Sequence, residues 1–184
     1  MIDRMMRAAK MDPFLYQEVE RNPSVSKEAL QIVVMVGVAG GISSLLSHLM
    51  RGQIVSGIGG AIAAVVLGVV AYYVWSFAVL IVGTKLFSGT SDFGEVSRCI
   101  AYAYVPNLLA VFGFVPAVGG LAAIVGSLWA LVLGVFAIRQ AMNFETGPAI
   151  ATAVIAWIAM AVVIGVISAI VLVPLGLAAM ATGR

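Results

Sequence analysis

Five apolar stretches, approximately 29–49, 57–82, 99–115, 119–138 and 149–173, take up most of this chain and hold almost no ionisable side chain between their ends. They are 17 to 26 residues long, against the roughly 20 that a helix rising about 1.5 Å per residue needs to cross a bilayer's hydrocarbon. No water is present at that depth, so backbone amides must be bonded within a helix or around a closed barrel. The unbroken apolar runs lack the period-two alternation of a barrel. The expected fold class is therefore an all-α membrane protein, a bundle of five transmembrane helices. With 62% hydrophobic and 10% charged residues, a soluble globular domain is excluded.

The expected organisation is an amphipathic cytoplasmic segment over 1–28, the five-helix domain over 29–175 and a short external tail over 176–184. Lys and Arg concentrate on cytoplasmic flanks of spanning helices. Arg4, Arg7, Lys10, Arg21, Lys27, Lys85, Arg98 and Arg139 fall on one face, and only Arg51 and Arg184 on the other. This predicts a cytoplasmic N-terminus and an external C-terminus. Residues 1–28 have no apolar core of the kind a cleavable signal needs, so the first span is expected to direct insertion. Met1, Ile2, Met5, Met6 and Ala9 share one side of a helix opposite Asp3, Arg4, Arg7 and Lys10, a pattern suited to lying on an anionic leaflet. Asp12 and Pro13 supply an N-cap and a first-turn proline for a second short helix. Its Phe14, Leu15 and Val19 are expected to face the membrane, opposite Glu18 and Glu20.

Span two carries Tyr72, Tyr73, Trp75 and Phe77 in its second half, where amphipathic rings suit an interface, and its length implies tilt or a protruding end. Asp92 to Glu95 reads as a capping box that starts the third helix at Phe93, and Arg98 is placed near the point where the chain enters lipid. Asp92, Glu95, Arg98 and Arg139 are the candidates for contacts made by cytoplasmic loops. Pro106 removes a backbone donor within span three, so a kink is expected over 101–104. Tyr102, Tyr104 and Asn107 form the polar group beside it. Small residues recur at four-residue spacing: Gly37 and Gly41, then Gly60, Ala64 and Gly68, then Ala122, Gly126, Ala130 and Gly134, and finally Ala161, Gly165 and Ala169. Such ridges let helix backbones approach closely, either within the bundle or against a second protein.

Every Asp and Glu lies before the first span or in a loop, which leaves no intramembrane carboxylate for a proton relay. Cys99 and His48 are the only residues of their kinds, so neither a disulfide nor a multi-ligand metal site is expected. No zinc-protease pair, phosphate-binding loop or nucleophile elbow occurs. The residues therefore point to a non-enzymatic protein with no cofactor. Its expected partners are membrane lipids and either other membrane subunits or a second copy of itself, with no nucleic acid. The alternative is a small permease or channel whose path lies near the kinked third helix, because carbonyls freed at a kink can line a polar route.

The loop Phe87-Ser88-Gly89-Thr90-Ser91-Asp92-Phe93-Gly94-Glu95 leads into Ala101-Tyr102-Ala103-Tyr104-Val105-Pro106, followed by the apolar turn at Pro116 and by Arg139 with residues 146–151. Together with the span count, these pieces resemble the Yip family, named for its Ypt-interacting members, over about residues 12–175. The resemblance implies a five-span scaffold. Eukaryotic members of that family sit in endoplasmic reticulum and Golgi membranes and associate with Rab-type GTPases through cytoplasmic parts. This chain has no long N-terminal domain and no Asp-Leu-Tyr-Gly-Pro element before span one, which weakens the expectation of small-GTPase binding. The short form looks like prokaryotic members, which implies a bacterial plasma membrane.

Overall fold

In the computed structural model, which describes residues 1–163, the helices are α1 (Ile2–Ala9), α2 (Pro13–Arg21), α3 (Ser26–Leu49), α4 (Ile54–Phe87), α5 (Phe93–Ala103) and α6 (Val118–Ala141), followed by α7 (Thr146–Val163). Short 3-10 helices cover Pro23–Val25 and Val105–Phe114. Among the described residues four helices are long and apolar enough to cross a membrane, and a fifth is reached if α5 and the second 3-10 segment, joined at a 45° bend, count as one span. The described residues contain no β-strand. Gly165, Ala169 and the tail 176–184 lie outside the described residues.

Local chemistry sets the helix starts. Asp12 caps α2 by accepting the Phe14 amide at 3.0 Å, with Pro13 in the first turn. Asp92 accepts the Glu95 amide at 2.8 Å while Glu95 accepts the Asp92 amide at 3.0 Å, the reciprocal capping box expected for α5. These bonds satisfy donors that a helix leaves free in its first turn. α4 runs past Lys85, beyond the apolar stretch 57–82. It stops where Ser88 adopts a left-handed conformation (φ 57°) and the Gly89 amide reaches back to the Gly83 carbonyl at 3.0 Å. The C-cap, and not the end of the hydrophobic run, fixes that boundary.

The third span bends where the sequence places Pro106, and its second half is a ten-residue 3-10 helix, not a kinked α-helix. Neighbouring backbones hold that narrow segment: a Cβ on Gly126 of α6 would stand 3.0 Å from the Pro106 carbonyl oxygen. α3 and α4 form an antiparallel hairpin whose backbones nearly touch. A Cβ on Gly37 would lie 2.9 Å from Val65 Cα, and one on Gly41 would lie 2.9 Å from the Ala61 carbonyl oxygen.

The two N-terminal helices correct an expectation. Leu15 and Val19 of α2 are fully buried in protein, packed against α5 and α6, and do not face the membrane; only Phe14 remains exposed. In α1, Met5 and Ala8 are buried while Ile2 and Met6 are exposed. The apolar side of α1 is thus divided between protein and surroundings. Apolar patterning identifies a face to be covered but not what covers it, and here α5 and α6 do so. The largest buried side chains, Leu15, Tyr16, Ile100, Leu133 and Ile138 among them, gather where α2, α5 and α6 meet.

Candidate functional site

Two features of the bundle carry polar chemistry. The first is the clasp that holds α2. Arg98, only 6% exposed, projects from α5 to the last turn of α2. Its Nε donates to the Val19 carbonyl at 2.8 Å, and a terminal nitrogen donates to the Glu20 carbonyl. The adjacent Cys99 thiol donates to the Tyr16 carbonyl at 3.7 Å. No carboxylate lies within ion-pair distance of Arg98 among the described residues. Its charge is met instead by carbonyls that a helix C-terminus leaves unbonded and by the negative end of the α2 dipole. Arg98 is therefore a structural cap inside the protein. Its guanidinium is committed to the end of α2 and is not free for a contact from the cytoplasmic loop.

Around this clasp, Arg4 donates to Glu18 at 2.7 Å and to Glu28 at 2.9 Å, and Arg7 donates to Asp12 at 2.7 Å and to Glu18 at 2.8 Å. Tyr102 donates its hydroxyl proton to Glu28 at 2.7 Å. Tyr102 thus belongs to the ionic cluster and does not join Tyr104 and Asn107. The bonds from Arg4 and Arg7 hold the Glu18 carboxyl below its ordinary range, and Arg7 does the same for Asp12. Burial pushes the Glu20 carboxyl up, opposed by the Gln140 side-chain amide that donates to it at 3.3 Å. Trp129, midway along α6, donates its indole N–H to the Ala9 carbonyl at 3.0 Å and ties down the end of α1.

Of the other candidate contact residues, Asp92 and Glu95 are engaged with each other in the capping box, and Arg139 is exposed at the end of α6. Gly37, Gly41, Gly60, Ala64 and Gly68 face one another across the α3–α4 hairpin. On α6, Gly126 meets the Pro106 backbone, whereas a Cβ on Gly134 would meet nothing within 4 Å among the described residues. Ala122 is half-buried and Ala161 exposed.

The second feature is a cleft of about 620 Å³ bounded by α4, α5, the start of the 3-10 segment, α6 and α7. Ala130 and Gly134 form one wall, Trp75 and Trp157 contribute flat rings, and Tyr104 and Asn107 bring polar groups. Sequence reasoning singled out Tyr104, Pro106 and Asn107, read Trp75 only as an interfacial ring, and did not single out Trp157; both tryptophans lie far from the other three in the chain. It also missed Glu18, Glu28 and Trp129, whose partners are 11 to 120 positions away. A lone Glu in the first turn of a span was the only signal available. Among the described residues no group of three His, Cys, Asp or Glu gathers to hold a metal ion.

The family model of the Yip1 domain matches residues 12–167, from the N-cap of α2 into the last span. No curated protein and no solved structure matches the chain.

Proposed function

The chain belongs to the Yip1 domain family, and from that premise we propose that this integral membrane protein is a non-enzymatic scaffold or accessory subunit. Its recognition surface is the end of the bundle formed by α1, α2 and the α6–α7 turn. That end faces the cytoplasm of a cell with a bacterial plasma membrane, in keeping with the skewed distribution of Lys and Arg. The observation that carries the reading is the Arg98 clasp. By fixing α2 to α5 it turns an N-terminal segment into a rigid platform, and a preorganised surface binds without a further ordering cost.

Lys10, Arg21, Lys27, Lys85 and Arg139 are exposed and carry no ion pair among the described residues. They suit a partner with an acidic surface, either another membrane subunit or a second copy of this chain. The test is crosslinking within membranes followed by mass spectrometry, comparing wild type with the triple variant Arg21→Glu, Lys27→Glu, Arg139→Glu. A stoichiometric crosslinked partner, lost in a variant of unchanged melting temperature, is expected. A wild-type chain recovered alone and monomeric contradicts the reading.

The polar groups beside the bend also favour a second reading, a small permease or channel. Solute flux in sealed vesicles that disappears in Asn107→Leu would place that reading first.

A further inference from the structure

The cleft at the bend plays no part in the scaffold reading, and it has the features of a binding site. We propose that it holds an uncharged long-chain lipid whose head group carries hydrogen-bond-accepting oxygens, of the isoprenoid-quinone type.

Depth is the first argument. Seven residues of 3-10 helix separate Asn107 from Phe114, which at about 2 Å per residue is about 14 Å, near half of a hydrocarbon layer about 30 Å thick. The facing Gly126 lies eight residues after Val118, about 12 Å along α6. Both routes put Asn107 well inside the bundle, at about the level where Trp129 bonds the Ala9 carbonyl at the end of α1.

Hydrogen bonding is the second. Among the described residues, Asn107 and Tyr104 are joined through the backbone, by an amide-to-carbonyl bond of 2.9 Å, and no side-chain bond satisfies either. A carboxamide and a phenol on an otherwise apolar wall lack partners there, and polar groups left unpaired in apolar surroundings are unfavourable. A ligand oxygen at that depth meets the need. Phospholipid head groups stay at the interface, and their acyl chains bring no acceptor. Among the described residues no Asp, Glu, Lys, Arg or His lines the cleft, so a charged head would be uncompensated by them.

Shape is the third. Trp75 and Trp157 offer planar faces against which a ring can stack, and Ala130 and Gly134 leave the space between them open. The rim is exposed apolar surface, with Leu131 and Trp157 each 67% exposed, so entry is from the bilayer. The volume of about 620 Å³ lies within the roughly 300–1,000 Å³ of small-molecule sites.

The test titrates decylubiquinone into the protein held in phosphatidylcholine nanodiscs and follows tryptophan fluorescence, since two of the three tryptophans line the cleft. Saturable quenching above the linear background of partitioning is expected. Gly134→Leu, which fills the cleft where no other described group stands within 4 Å, removes the saturable part while the melting temperature is kept. Asn107→Leu weakens the apparent affinity about tenfold, the effect of losing one good hydrogen bond. Purely linear quenching in wild type, or saturation unchanged in Gly134→Leu, overturns the proposal. Competition by dioleoylglycerol as strong as by a second quinone overturns the head-group assignment. None of these readouts depends on whether a partner binds the basic platform.

Discussion

A guanidinium sealed from solvent, with no carboxylate within ion-pair distance among the described residues, must be held by something else, and Arg98 is held by the last carbonyls of α2. Its removal strands those acceptors. Arg98→Ala is expected to cost about 1.5–3 kcal/mol, the range for hydrogen bonds to a charged group, read as faster amide exchange in α2. Arg98→Lys keeps the charge but not the planar fork, so it should recover only part of that loss. The two α6 glycines separate in the same way. Gly126→Leu drives a side chain into the Pro106 backbone and should lower the melting temperature sharply, whereas Gly134→Leu should leave it nearly unchanged. Equal melting of the two variants would mean that α6 does not sit as described. The sequence reveals both glycines as parts of one small-residue ridge, but spacing along one helix carries no information about which neighbour stops short of it. The Arg98 clasp is illegible for a similar reason: its partners lie 78 and 79 positions away. The Asp12 cap and the Asp92–Glu95 box were readable because their partners lie within three residues.

Helices were legible where apolar length decides and less so where backbone geometry does. The spans follow from water's absence in the bilayer, yet the C-terminal end of α4 is set by a left-handed cap at Ser88, and the 3-10 form around Pro106 depends on what packs against it. The turn between spans three and four shows the same dependence. Ala117 has φ 63° and ψ −48°, and the Val118 amide bonds the Pro116 carbonyl at 2.8 Å, which is a γ-turn of the strained hand. Such a conformation costs about 1–3 kcal/mol for a residue with a Cβ. Ala117→Gly relieves this while adding about 0.5–1 kcal/mol of backbone entropy to the unfolded chain. A net gain of about 1 kcal/mol is expected in thermal unfolding, and a loss would contradict the strain.

For the molecule as a whole, the decisive feature is that α1 and α2 belong to the bundle. Patterning showed that both helices had apolar faces, but it assigned those faces to lipid, because a sequence cannot say whether lipid or protein will cover them. The docking depends on charge. The carboxyls of Asp12 and Glu18 titrate lower in the folded state, so their contribution is present above the unfolded value of about 4 and is lost as pH falls through the depressed values. Glu20 works in the opposite sense. Its folded value is raised, so its ionisation opposes docking at neutral pH, and Glu20→Gln should slow proteolysis of the hairpin at pH 7 but not at pH 3. In wild type, cleavage between α1 and α2 should accelerate below about pH 4 while the spanning helices stay intact. A rate independent of pH would deny the ionic cluster its role.

The most direct test is hydrogen exchange of the protein in nanodiscs at neutral pH, comparing the amides of residues 16–21 with those of α5. The docked platform predicts comparable protection in the two segments, with protection of α2 selectively lost in Arg98→Ala. Rapid exchange of residues 16–21 in the wild-type protein, beside a protected α5, would show an undocked tail and remove the basis of the proposed recognition surface.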